Sequence, residues 1–220
     1  MVDGYAGTER GWAMSVTRLM AVDLDGTLVS VNTLHVYMRL GLRQMMRRGR
    51  IWRLCKSSAM LLLRKLHMVS HRTMKFAVLS CIDADADMRE RFCEAVRPRF
   101  NADVMQLIDS WRKDGNVVLL ATAAAETYVP WLWQGDYVAT SMTGNVAREE
   151  MRGERKRRAV EEYAAGHGLL FSVAVSDHHH DLPMLSGARD EAVLVNPTPE
   201  LCKEMSALPN PRVLCQRSQS

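Results

Sequence analysis

Three short apolar runs, "LMAVDLDGT" (19–27), "NVVLLATA" (116–123) and "LFSVAVSD" (170–177), each pass at their carboxyl end into acidic, hydroxyl or small residues. Runs this apolar have no polar face to offer water, so each predicts a strand buried on both sides, as in a parallel sheet. A fourth run, "EAVLVNP" (191–197), ends in Asn-Pro. Val104, Leu107, Ile108 and Trp111 fall at the spacing of an amphipathic helix just before Gly115. Ala159, Val160, Tyr163 and Ala164 make a second such face, which stops at Gly166 and Gly168. Strands alternating with helices predict an α/β fold, a doubly wound parallel sheet whose ligand site lies beyond the carboxyl ends of the strands. The polar residues stand at those ends.

Residues 29–98 break this rhythm. They are rich in Met, Leu, Arg and Trp, show no strand alternation, and are punctuated by Gly41 and Gly49 into what read as several helices. The expected layout is a flexible leader at 1–17, an α/β core from 18–28 and 99–210, a helical insertion at 29–98 and a tail at 211–220. Residues 29–82 hold eleven Lys or Arg and no acid, while the rest of the chain has 18 basic and 25 acidic residues. Such asymmetry suits an anionic ligand, an anionic membrane surface or a nucleic acid, against the plain alternative of a solvated helical face. No nucleic-acid motif accompanies it, so no nucleic-acid partner is expected.

With 220 residues and 47% hydrophobic content, the chain can bury one substantial core beside its insertion. The five cysteines are scattered, with no Cys-x-x-Cys pair, which points to a reducing, cytoplasmic setting. The opening residues lack the apolar core of a secretory signal. The most apolar stretch, "AMLLL" at 59–63, runs into Arg64 and Lys65, far short of the roughly 20 residues a spanning helix needs.

Asp23 and Asp25 stand two apart at the end of the first strand, so their side chains project to one side. Gly26 permits a sharp turn and Thr27 adds a hydroxyl. Two adjacent carboxylates repel, so the pair implies a cation, a shared proton or divided roles, unless it is merely an acidic turn. Divided roles suit phosphoryl transfer: one carboxylate attacks phosphorus, and the other protonates the leaving alcohol and later activates water. A second acidic pair, Asp177 and Asp181, brackets three histidines in "VSDHHHD". Imidazole favours zinc and later transition metals, whereas magnesium prefers carboxylate oxygen. Consecutive histidines are expected to point in different directions, while the aspartates at i and i+4 can lie together as the chain turns into a helix. The expectation is an aspartate site with histidine spacers.

The "DLDGTL" motif after an apolar strand resembles the first motif of the haloacid dehalogenase superfamily. The superfamily's other motifs follow in order: Thr122 in "VVLLATAA", Lys156 in "RGERKRRAV", and Asp177 with Asp181 in "VSDHHHD", together spanning 19 to about 205. The resemblance implies that Asp23 is the nucleophile and Asp25 the general acid and base. It implies that Thr122, Ala123 and Lys156 bind phosphate, and that Mg2+ is held by Asp23, Asp177 and the Asp25 main-chain carbonyl. Asp181 would act through water or by orienting this shell, with Thr27, His178 and His179 at the mouth. Dehalogenases of the superfamily lack the second aspartate, so Asp25 favours phosphatase or phosphotransferase chemistry.

The insertion stands where relatives of phosphoserine phosphatase carry a helical cap. Two departures count against phosphoserine itself: Thr27 replaces the usual Ser, and "TLVSVNTLHVY" offers no acid to grip a substrate amine. A more anionic phosphomonoester is expected, small or lipid-linked. A phosphotransferase, a phosphoserine phosphatase and a non-catalytic scaffold on an anionic membrane stay open, as does the oligomeric state.

Overall fold

The computed structural model describes residues 16–143 and 149–214. Its strands are β1 (Arg18–Val22), β2 (Val117–Ala125), β3 (Tyr137–Thr140), β4 (Leu170–Ser176), β5 (Glu191–Val195) and β6 (Arg212–Leu214). They form one parallel sheet in the order β3-β2-β1-β4-β5-β6. The chain winds one way from β1 to β2 and β3 and the other way to β4, β5 and β6, so β1 lies at the switch point of a doubly wound sheet. Val22 is paired with Leu120 on one side and Val175 on the other, which brings the loops after β1, β2 and β4 out abreast.

Alternate residues of β1 feed two cores. Met20 and Val22 pack with Val104 and Ile108 of α5 (Ala102–Lys113), while Leu19 and Ala21 pack with Val160 and Ala164 of α7 (Glu154–Gly166). Each fully buried Leu, Met or Val contributes roughly 1.5–3 kcal/mol of apolar burial, so the switch-point strand is held from both faces. The expected helical faces are these two helices, and the glycines beyond them, Gly115 and Gly168, adopt positive φ. Three short helices complete the core: α6 (Val129–Leu132), α8 (Leu182–Gly187) and α9 (Pro199–Lys203).

Between β1 and β2 lie α1 (Thr33–Arg47), α2 (Ile51–Lys65), α3 (His71–Leu79) and α4 (Ala86–Val96). Their starts are written in side chains: Asn32, Ser70 and Asp85 accept from the main-chain N–H of His35, Thr73 and Met88. Gly49, at φ +64, makes the expected break between α1 and α2. Gly41 does not break anything: it is buried inside α1, where a Cβ would come within 2.5 Å of Ile82, so glycine there serves close packing. Tyr37 of α1, Phe92 of α4, and Tyr128 and Trp131 from the core cluster with ring centroids 4.7–5.8 Å apart, an aromatic hub that joins insertion to sheet.

Two differences from the sequence expectation concern sheet edges. Residues 212–214, expected in a tail, form β6, and β3 was not anticipated at all. "RVL" and "YVAT" are too short to show a period, and both owe their conformation to a neighbouring strand. Most of the expected leader, the end of the tail and Cys215 lie outside the described residues. Among the described residues, no helix is long and apolar enough to cross a membrane.

Candidate active site

The residue after β1, Asp23, is 7% exposed and its N–H donates to Val175 O at 2.9 Å, locking this loop to β4. Lys156, in the first turn of α7, is 2% exposed. Its ammonium donates to Asp23 Oδ1 at 2.8 Å and to Asp181 Oδ2 at 2.7 Å. Asp181 Oδ2 also accepts from the Ser176 hydroxyl at 2.7 Å, so Asp181 is held on Lys156 and the end of β4. Burial pushes the Asp23 carboxyl up to about 8, with Lys156 pulling the other way. Burial disfavours the Lys156 charge, but the two carboxylates outweigh it and raise the ammonium above its ordinary value.

Asp25 is half-buried, and its Oδ1 accepts from the Thr33 N–H at 2.9 Å. Burial raises its carboxyl, partly offset by Thr33. Gly26 is required twice over: φ is +82°, and a Cβ there would lie 2.1 Å from Asp177 Oδ2. Asp177 can therefore lie directly against the β1 loop. Its Oδ1 accepts from the Thr27 hydroxyl at 3.2 Å, and burial lifts its carboxyl to about 6. Thr122 is 1% exposed near the end of β2, and its Oγ1 accepts from the Ala124 N–H at 3.0 Å, leaving its proton to donate. The Ala123 carbonyl is taken by Lys75 and Thr140, each at 2.7 Å, so its N–H is the group able to face an anion.

Asp23, Asp25, Thr122, Ala123, Lys156, Asp177 and Asp181 thus line one cavity of about 380 Å³ at the carboxyl edge of the sheet. Among the expected mouth residues only His178 lines it. Thr27 is fully buried beneath Asp177, and His180 lines the cavity in place of His179, whose Nδ1 is buried without a partner. The histidines also do not diverge as expected. The tight turn at His179–Asp181 stacks their rings at 4.1–4.5 Å and gathers their nitrogens within 4.8 Å of one another. The His178 Nδ1 accepts from the His180 N–H at 3.1 Å. Burial lowers the His178 and His180 pKa values, aided by neighbouring positive charge.

Two charged residues in or against the site were not singled out in the sequence. Arg152 lines the cavity beside the histidines and makes no ion pair with a described residue. Lys75, counted there among the surface cations of the insertion, is 2% exposed and bonds the core at Ala123 O and at Glu150 Oε1, 2.9 Å away. Arg152 has a local signal, standing before Gly153, whose φ of +60° opens α7. Lys75 has none, because its partners lie 48 and 75 residues away.

The donor chemistry fits a hard cation. Asp23 and Asp177 each commit one carboxylate oxygen to Lys156 or Thr27, so the other oxygen of each is available, with the Asp25 carbonyl, as an all-oxygen set. Two aspartates beyond the switch-point strand, with a buried lysine bonded to the first of them and to Asp181, form a site suited to phosphoryl transfer. The haloacid dehalogenase-like hydrolase family profile matches residues 21–186, and the chain belongs to that family.

The fold is shared with solved structures of low identity. A protein of unknown function from Bordetella pertussis Tohama I aligns at TM-score 0.68 and 19% identity, over 90% of this chain and 99% of that one. A probable phosphoserine phosphatase from Vibrio cholerae aligns at 0.63 and 14%, over 89% and 60%. A substrate-bound phosphoserine phosphatase aligns at 0.58 and 16%, over 89% and 92%. The sequence matches no curated protein.

Proposed function

We propose that the protein is a magnesium-dependent phosphatase that hydrolyses an anionic phosphomonoester through an aspartyl phosphate. The observation that carries this is the buried Lys156 held between Asp23 and Asp181, with Asp25 on the same loop. In the reaction, an Asp23 carboxylate oxygen bonds to phosphorus as the bond from phosphorus to the ester oxygen breaks. Asp25 delivers a proton to that departing oxygen. Asp25 then takes a proton from water as the water oxygen attacks phosphorus, which frees inorganic phosphate and regenerates Asp23. Thr122 and the Ala123 N–H donate to phosphate oxygens, and Lys156 balances charge on the nucleophile and phosphate. Mg2+ held by Asp23, Asp177 and the Asp25 carbonyl would supply further neutralisation of the phosphate.

Arg152 at the cavity rim favours substrates with negative charge beyond the reacting phosphate. The stretch 27–37, which leads into α1, holds no acid to receive a substrate ammonium. The free thiols of Cys55, Cys81, Cys93 and Cys202 suit the reducing cytoplasm we assign to it. A panel of phosphomonoesters assayed with and without Mg2+, with Asp23→Asn as blank, tests the reading. Expected is Mg2+-dependent phosphate release that vanishes in the variant. Equal release by the variant, or phosphoserine as best substrate, overturns the mechanism or the substrate class respectively.

A further inference from the structure

The insertion carries an apolar surface that the catalytic site does not use. Helix α2 buries only Ser57 completely; Leu54, Met60 and Leu61 on its inner side pack partly against the insertion core. Its outer side presents Trp52, Cys55, Ala59, Leu62 and Leu66, all exposed, at alternating intervals of three and four, so they form one stripe along about 20 Å of helix. Trp52 is 83% exposed, and Leu62 and Leu66 are close to 60%. Ile51 and Met68 extend the stripe at its two ends. Large apolar side chains clustered on one helix, apolar on its inner side already, mark a contact surface.

The charge around the stripe selects the occupant. Of the eleven cations in 29–82, Arg48, Arg50, Arg53 and Lys75 find acids at Asp85, Asp83 and Glu150. Arg39, Arg43, Arg47, Lys56, Arg64, Lys65 and Arg72 form no ion pair with a described residue, and Lys56 and Lys65 lie on α2 itself. The acids beside the stripe, Asp83 and Asp85, are already paired with Arg50, Arg53 and Arg48, so a symmetric pairing of two copies through this face would set the unpaired cations against one another. An anionic lipid surface satisfies both features, taking the apolar stripe at the acyl boundary while Lys and Arg reach the headgroups.

We propose that α2 and the turn after it dock the protein on an anionic lipid surface, with Trp52, Leu62 and Leu66 inserted. This stands apart from the phosphatase reading and can fail without it. The test is flotation of the full-length protein with vesicles of phosphatidylcholine alone or with phosphatidylglycerol. The variant Trp52→Ser/Leu62→Ser/Leu66→Ser and the charge reversal Lys56→Glu/Lys65→Glu are compared with the natural sequence.

Expected are binding to the phosphatidylglycerol vesicles only, a loss of about tenfold or more in each variant, and a blue shift of tryptophan emission that Trp52→Phe removes. Hydrolysis of a soluble phosphomonoester by both variants, measured in parallel, reports on the fold and on the phosphatase reading separately. Absence of binding to anionic vesicles overturns the proposal. So does a dimer of the natural sequence that the triple variant dissociates, because the face would then be covered by a second copy.

Discussion

Gly26 fixes the distance between two loops that are 150 residues apart in the chain. Alanine at this position would place Cβ within 2.1 Å of Asp177 Oδ2 and would hold positive φ, which costs an L-residue roughly 1–2 kcal/mol. Gly26→Ala is expected to move Asp177 off the β1 loop, weaken Mg2+ binding and lower kcat/KM by about 100-fold, the loss typical of a displacement near 1 Å at a reacting centre. Titration of activity against Mg2+ measures it; an unchanged Mg2+ requirement refutes the role given to Asp177. The three histidines make the opposite case. Their nitrogens do converge, so ligand hardness alone now separates them from the carboxylates. Replacing His178, His179 and His180 by alanine together is expected to leave Mg2+ dependence intact, and its loss would transfer the metal site to the histidines.

Helix α3 reaches across the boundary between insertion and core. The Lys75 ammonium, nearly out of water, is satisfied by one carbonyl and one carboxylate on the sheet side. Removing one partner of a buried pair strands the other, at a cost of about 3 kcal/mol where burial is deep. Glu150 is only partly covered, so Lys75→Met is expected to lower the melting temperature by less than that figure implies, with part of the loss recovered in Lys75→Met/Glu150→Gln. A double variant no better than the single one would show that the Ala123 carbonyl is the bond that matters.

Helices were legible where an apolar face recurred within one segment, as at Val104, Leu107, Ile108 and Trp111 of α5, whereas the Asn101 cap emerged only from the structure. The partner of a basic side chain is set by contacts far along the chain, which is why Lys75 read as surface charge and Arg152 as one arginine among many. The edge strands β3 and β6 were illegible for the same reason, since four or three residues hold a conformation that only their neighbour explains.

Taken whole, the molecule stores unfavourable charge in one place. The Asp23 carboxyl, raised to about 8 by burial, keeps a proton in the folded state that the unfolded chain has already lost. Stability from this group is present at low pH and declines as pH rises towards its folded value. Between pH 7 and 8 the metal-free protein is expected to lose about 1 kcal/mol relative to Asp23→Asn, whose side chain does not titrate. Calorimetry in EDTA and in excess Mg2+ measures the difference, and Mg2+ should abolish it by favouring the ionised carboxylate. A metal-free protein that gains stability over this interval contradicts the assignment.

The strands β1, β2, β4 and β5 could be read from the chain because burial on both faces writes itself as uninterrupted apolar residues. Their shared edge places Asp23, Thr122 and Asp177 together, although Thr122 was singled out only by the motif resemblance. One bond at that edge joins chemistry to architecture. The carboxylate of Asp25 accepts the first main-chain N–H of α1, at Thr33. A neutral carboxyl is a weaker acceptor than a carboxylate. In the proposed reaction cycle Asp25 takes up and gives away a proton, so its bond to the root of the helical insertion would weaken and strengthen with each turnover.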